Sequence, residues 1–116
     1  MPEEIFEQRI RLARLFDIYG GLLTEKQGLC LKLYFYDDLS LSEISEELGV
    51  SRQAVHDLLR RVEQTLERYE AKMGLLSREE AYKERLCSVI NLLEGQDPSG
   101  TEKAVVILRE MCGEGR

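Results

Sequence analysis

The side chains best suited to specific binding chemistry form one cluster, which begins directly after Val50. Arginine donates paired hydrogen bonds to planar acceptors, and the glutamine amide both donates and accepts. A serine at the start of such a segment can cap a helix, which would place these side chains in its exposed first turns. The candidate binding residues are Ser51, Arg52, Gln53, Ala54, His56, Arg60 and Arg61.

No other set of residues indicates catalysis or metal binding. His56 is the single histidine, and no serine, cysteine or metal ligand lies at a useful spacing from it and Asp57. Asp37 and Asp38 are adjacent carboxylates without further ligands, so we interpret them as turn residues rather than as a cation site. The sequence contains no glycine-rich phosphate-binding loop. We therefore expect no enzymatic activity, no cofactor and no bound metal.

The composition is typical of one small globular domain. The chain has 116 residues, of which 43% are hydrophobic and 33% charged, enough apolar content for a modest core. The N-terminus is acidic, and no run approaches the ~18 apolar residues of a membrane span. Cys30, Cys87 and Cys112 form no Cys-x-x-Cys pair, so we expect reduced cysteines that act as small hydrophobic residues. These features predict a cytoplasmic protein without a membrane partner.

The formal net charge of −6 argues mildly against a nucleic-acid partner, because phosphate binding is electrostatic. The distribution of charge is more informative. Residues 24–50 carry two basic and six acidic groups, and residues 75–116 carry six and eight. Residues 51–61 carry three basic groups and one acidic group. Of these three stretches, only the one that holds the candidate binding residues is positive.

Apolar spacing and capping signals predict three helices before residue 50. The first runs from about Glu3 to Tyr19. A capping box at Thr24 opens the second, and another at Ser40 opens the third, which ends at Gly49. The expected apolar stripes are Ile5, Leu12, Phe16 and Tyr19 in the first helix, Leu29, Leu33 and Tyr36 in the second, and Leu41, Ile44 and Leu48 in the third.

Three further helices are predicted after residue 50. The fourth has Ser51 as its N-cap and runs about 22 residues, or roughly 33 Å, to Gly74. A capping box at Ser77 opens the fifth, which ends at Gly95. The last helix, from Thr101 to about Met111, is apolar on most sides, so we expect it to be heavily buried within the chain or in a dimer. The expected stripe of the fifth helix is Tyr82, Leu86, Val89, Ile90 and Leu93.

The third and fourth predicted helices meet at Gly49 and Val50 in the pattern of a helix-turn-helix. Glycine permits the sharp turn, and Ile44, Leu48 and Val55 join Val50 in a small core that fixes the crossing. The first residues of the fourth helix would then protrude, and a helix fits the major groove of DNA. We expect an all-α fold with a helix-turn-helix domain at residues 1–74 and a helical extension, for dimerisation or packing, at residues 75–116.

Residues 22–68 resemble the C-terminal helix-turn-helix domain of bacterial sigma factors. The N-terminal two-thirds of the chain also resembles the YlxM-like family, through segments 15–20, 22–27, 36–41 and 50–55. Members of that family are considered DNA-binding proteins and are typically encoded beside the signal recognition particle GTPase. Tyr-Asp-Asp-Leu-Ser followed by Val-Ser-Arg-Gln-Ala-Val is specific to the family, whereas residues 75–116 match it loosely.

The resemblance implies a DNA-binding regulatory protein with a recognition helix at residues 51–61 and a role in the signal recognition particle pathway. Arg52 and Gln53 lie where base contacts would fall, but Ala54, His56 and Asp57 occupy positions that are usually basic in sigma factors. RNA is an open alternative ligand. A second hypothesis is a protein-interaction module that modulates the signal recognition particle GTPase without sequence-specific DNA binding. The apolar surface of the last three helices also predicts a homodimer.

Overall fold

The computed structural model describes residues 3–113, with side chains from residue 7 onward, and it confirms the all-α fold. Ile5, predicted for the first apolar stripe, lies outside the described side chains. The chain forms two compact units, one extending to Leu76 and the other beginning at Ser77. The helices are α1 (Glu3–Tyr19), α2 (Glu25–Phe35), α3 (Leu41–Leu48), α4 (Arg52–Met73), α5 (Leu75–Glu94) and α6 (Gly100–Met111), with a 3-10 turn at Gly20–Leu22.

Helix α4 is the centre of the first unit, where it packs against α1, α2 and α3. Two adjoining groups of buried side chains form the core. The larger joins α1, α2, α4 and the start of α5, and the smaller fixes the helix-turn-helix. The buried members are Leu15, Phe16, Tyr19, Leu31, Val62, Leu66 and Leu76 in the first group and Cys30, Ile44 and Val55 in the second.

The predicted caps of α2, α3 and α4 are confirmed. Thr24 and Ser40 each form a complete capping box with the residue three positions on. The Ser51 hydroxyl accepts the Ala54 N–H at 3.0 Å. Gly74 ends α4 in the left-handed region, with φ of 63°, which glycine adopts without strain.

The predicted start of α5 at Ser77 is wrong. Helix α5 begins at Leu75, directly after Gly74. Its first backbone donors find partners outside the helix: the Leu75 N–H donates to the Tyr19 hydroxyl at 3.1 Å, and the Leu76 N–H donates to Glu70 Oε1 at 2.9 Å. Because a buried carboxylate and a hydroxyl from α4 and α1 satisfy these amides, the helix starts two residues before its local capping signal.

The predicted apolar stripe of α2 is wrong at two of its three positions. Leu29 and Tyr36 are exposed, and the buried residues of α2 are Cys30 and Leu31. The Tyr36 hydroxyl donates to Asp17 at 2.8 Å. Because α2 carries apolar residues around most of its circumference, the positions of α1, α3 and α4 decide which of them are buried.

The second unit pairs α6 with the part of α5 beyond Ser77. Asp97 organises the connecting turn, since its carboxylate accepts the Ser99 N–H and the Lys103 ammonium, each at 2.9 Å. Arg85 forms an ion pair with Glu110. Gly100 lies so close to α5 that a Cβ atom there would be 2.5 Å from the backbone oxygen of Leu92.

The expected heavy burial of α6 within the chain is wrong. Its buried residues are Gly100 and Ala104, whereas Val105, Val106 and Leu108 are exposed. Two of the three cysteines also depart from the expected apolar role, because Cys87 and Cys112 are exposed and only Cys30 is buried. Burial raises the pKa of the Cys30 thiol.

Candidate nucleic-acid interface

The turn between α3 and α4 positions the predicted binding residues. Gly49 adopts the left-handed region with φ of 68°, and the Val50 N–H donates back to the Ser45 carbonyl at 3.1 Å. The chain then reverses into Ser51, whose hydroxyl caps α4. Beneath the turn, Ile44 and Val55 are fully buried. The two helices therefore meet at a fixed crossing, with the first turns of α4 projecting from it.

The structure places most of the predicted binding residues together on the first turns of α4. Val55 is buried, and every other residue from Ser51 to Asp57 is exposed. Ser51 serves as the N-cap, so its oxygen already accepts a backbone hydrogen bond. Within residues 3–113, the guanidinium of Arg52 forms no hydrogen bond or ion pair. Arg60 and Arg61, two turns further along, are likewise exposed and unpaired in this part of the chain.

Gln53 and His56 both lie beside the carboxylate of Asp57. Gln53 Nε2 donates to Asp57 Oδ1 at 3.0 Å, and His56 Nδ1 lies 3.8 Å from the same oxygen. The spacing of Asp57 and Arg61 is that of a helical ion pair, but Asp57 contacts the residues on its N-terminal side instead. The Arg61 charge therefore stays available to an external ligand.

One flank of α4 adds a cation that the sequence analysis missed. Lys26, on the first turn of α2, lines a hollow of about 400 Å³ together with residues of α4. The lining residues are Thr24, Lys26, Gln27, Val50, Ala54, Asp57, Leu58 and Arg61. Lys26 lies 28 to 35 positions before the α4 residues of this hollow, so no local spacing could have joined it to them.

Helix α3, which packs against α4, is acidic. Helix α3 contains no basic residue, and its Glu43, Glu46 and Glu47 line a shallow hollow together with Leu39. Glu43 accepts the Ser40 N–H at 3.0 Å. This hydrogen bond holds the pKa of the Glu43 carboxyl below its usual value, so the carboxylate remains charged at neutral pH. The helix-turn-helix thus combines acidic side chains on α3 with basic side chains on α4.

Asp37 and Asp38 lie in the turn between α2 and α3. Asp38 has a positive φ of 54°, a conformation that aspartate tolerates better than most residues. Its carboxylate lies 3.4 Å from Arg9 Nη2. Among the residues that the structure describes, no group of three or more potential metal ligands comes together. In the same part of the chain, each helix is too short or too polar to span a bilayer.

Known proteins resemble this chain in sequence over most of its length. Residues 6–104 match the UPF0122 family, described as "Putative helix-turn-helix protein, YlxM / p13 like". The chain is 50% identical over 101 residues to a UPF0122 protein of Desulforamulus reducens, which covers 84% of this chain and 86% of that protein. It is 43% identical over 106 residues to a UPF0122 protein of Halalkalibacterium halodurans, which covers 91% and 94%.

Proposed function

The chain belongs to the UPF0122 family of helix-turn-helix proteins, and from this membership and the geometry of α3 and α4 we propose that it is a DNA-binding regulatory protein. The first three turns of α4 act as the recognition helix in the major groove. The observation that carries the proposal is Arg52, which is exposed and unpaired within residues 3–113, in the first turn of the second helix of this motif. That position projects toward base edges when such a helix enters the groove.

We assign direct base contacts to the exposed side chains of the first turns. Arg52 can donate two hydrogen bonds to a guanine, a contact worth about 1–3 kcal/mol. Gln53 must first release Asp57, but an exposed pair at this spacing contributes only about 0.2–0.5 kcal/mol. Ala54 offers a methyl group to a thymine, and His56 offers a hydrogen-bonding ring nitrogen.

Phosphate contacts fall to Ser51, Arg60 and Arg61. The Ser51 oxygen caps the helix, which leaves its O–H free to donate to a phosphate. Arg60 and Arg61 supply positive charge further along the helix, and such contacts set the register without reading the sequence. These three residues would therefore contribute to salt-dependent affinity rather than to preference for a sequence.

Fluorescence anisotropy with genomic fragments, over a salt titration, tests this function. Arg52→Ala should reduce the discrimination between preferred and unrelated fragments by about 5- to 150-fold, the equivalent of about 1–3 kcal/mol. Arg78→Ala is the matched control, because it removes the same exposed charge from α5 outside the helix-turn-helix. Absence of binding by the wild-type protein to DNA, even at low salt, would contradict the proposal.

We propose that the protein acts in the signal recognition particle pathway, because it resembles the YlxM-like family. We propose a cytoplasmic location, because a regulator of chromosomal DNA acts where that DNA lies. RNA, including the signal recognition particle RNA, is the alternative nucleic acid, and the same titration with that RNA distinguishes the two ligands. Tight binding of the RNA with weak, sequence-independent DNA binding would move the assignment from DNA to RNA.

A second candidate function is a protein-interaction module that modulates the signal recognition particle GTPase. The acidic surface of α3 favours it, because Glu43, Glu46 and Glu47 would face phosphates unfavourably but suit a basic protein surface. Calorimetry with the purified GTPase should then show binding that survives nuclease treatment. Binding that disappears after nucleic acid is digested would contradict this second candidate.

We further propose that the protein is a homodimer through its second unit. Tyr82, Leu86, Ile90 and Leu93 recur at helical spacing on α5 and are 43–56% exposed. Apolar patches larger than a few hundred Å² are uncommon on monomers, and burial against a second copy would remove this one from water. Two linked recognition helices would also bind DNA more tightly than one, through their effective concentration.

Sedimentation equilibrium tests the dimer. The wild-type protein should approach twice its monomer mass of 13.4 kDa at micromolar concentration, and Ile90→Glu should shift it toward the monomer. Leu29→Glu is the control, because Leu29 is similarly exposed but lies on α2 in the first unit. A mass of 13.4 kDa at all concentrations would reject the dimer.

A further inference from the structure

The hollow between the start of α2 and the recognition helix carries two positive charges from different helices. Lys26 contributes one and Arg61 the other, and the hollow encloses about 400 Å³ beside Ala54 and Asp57. Both side chains are exposed. The tertiary fold therefore concentrates positive charge at a concave place directly beside the surface that would face DNA.

The polar groups around the two cations are already engaged within the protein. Thr24 and Gln27 form the capping box of α2. Asp57, the one carboxylate among the lining residues, accepts a hydrogen bond from Gln53 and lies near His56. Within residues 3–113, Lys26 and Arg61 make no hydrogen bond or ion pair. The hollow thus carries two unpaired cations against one carboxylate, which leaves it with a formal charge of +1.

We propose that this hollow binds a backbone phosphate of DNA, held between Lys26 and Arg61. A phosphate carries its charge on oxygens that accept from ammonium and guanidinium donors. A helix in the major groove has a phosphate backbone along each side, and this hollow places two exposed cations beside the first turns of α4. The site rests on the proposed function, and it adds Lys26 as a positioning residue that fixes the protein on one strand.

The test is the salt dependence of DNA binding by the full chain, measured on the fragment that the wild-type protein prefers. The double variant Lys26→Ala/Arg61→Ala should lower the slope of log affinity against log salt concentration by about 0.9, the loss of one neutralised phosphate. Discrimination between fragments should not change, because the site reads no base. Lys32→Ala is the control: it removes the same charge from an exposed position on α2 outside this hollow, and its slope should equal that of the wild type.

A second measurement separates failure of this site from failure of the proposed function. Inorganic phosphate should shift the amide NMR resonances of Gln27 and Ala54 in the wild-type protein and in Lys32→Ala, but not in the double variant. If DNA binds and the double variant keeps the wild-type slope, the site is overturned and the proposed function stands. If no DNA binds, localised shifts would assign the site to a phosphate from another source, and their absence would overturn it. Circular dichroism of each variant verifies that it is folded.

Discussion

Replacing Glu70 by glutamine is expected to destabilise the protein, because the carboxylate joins three helices at one buried point. Glu70 is 7% exposed. Its Oε1 accepts the hydroxyl of Tyr19 on α1 at 2.7 Å and the N–H of Leu76 at the start of α5 at 2.9 Å. Glutamine preserves the size of the side chain but removes its charge, so both hydrogen bonds become neutral.

The magnitude follows from the difference between charged and neutral hydrogen bonds. A bond to a charged group contributes about 1.5–3 kcal/mol and a neutral bond about 0.5–1.5 kcal/mol, so two conversions predict a loss of about 2 kcal/mol in the free energy of unfolding. For a domain near 100 residues, that loss corresponds to a fall in Tm of roughly 8 °C. It is a large fraction of the stability of a small protein.

Urea unfolding followed by circular dichroism measures this loss. Glu63→Gln is the matched control, because Glu63 is exposed on the same helix and its substitution should change the stability by less than about 0.5 kcal/mol. Equal stability of Glu70→Gln and Glu63→Gln would refute the argument. It would mean that the buried carboxylate gains nothing from its charge.

The pH dependence of the wild-type protein checks the same contact from the side of Tyr19. Burial, and then the hydrogen bond to Glu70, raise the pKa of the Tyr19 hydroxyl above its ordinary value of 10.0. The resulting stabilisation is fully present below pH 10 and is lost as the pH rises through the raised pKa. The stability difference between the wild type and Tyr19→Phe should therefore shrink above pH 10. A constant difference across that range would count against the contact.

Three further predictions concern local features of the fold. Gly28→Ala should raise the stability by about 0.5–1 kcal/mol, because a Cβ atom there meets nothing within 4 Å in the interior of α2. A thermal melt measures this change, and a lower Tm than that of the wild type would contradict the prediction. Gly100→Ala should lower the Tm, because its Cβ atom would lie 2.5 Å from the Leu92 oxygen; an unchanged melt would show that the turn relaxes freely. Lys103 helps to hold the pKa of Asp97 far below its usual 3.8, so Asp97→Asn should lower the Tm at pH 7. This deficit should fade as the pH falls below 3.8, because the wild-type carboxylate then loses its own stabilisation; a deficit that persists in acid would contradict the assignment.

Local signals determined the helix-turn-helix correctly. The capping boxes at Thr24 and Ser40, the N-cap Ser51 and the left-handed Gly49 were all predicted, and each depends on hydrogen bonds or backbone angles within about four residues. A side chain three residues from its backbone partner meets it in almost any globular context. The fold class and the position of the helix-turn-helix therefore follow from the sequence alone.

The same local signal was misleading at Ser77, where a distant partner decided the outcome. The start of α5 is fixed by Tyr19 and Glu70, which lie 51 positions apart in the sequence. The capping pattern at Ser77 carries no information about that carboxylate, because nothing near Glu70 in the sequence distinguishes it from an exposed glutamate. Only the packing of α1 against α4 buries it and makes its hydrogen bonds available.

The approximate positions of the helices, their caps at the turn and the polar residues on the first turns of α4 were thus predictable from local sequence patterns. The tertiary structure decided which faces are buried and which distant charges meet. Leu29 is exposed on α2 because the neighbouring helices cover Cys30 and Leu31 instead. Lys26 joined Arg61 because α2 packs beside α4. The physical reason is range: capping and backbone angles act within one helical turn, whereas burial and charge pairing depend on the positions of whole helices.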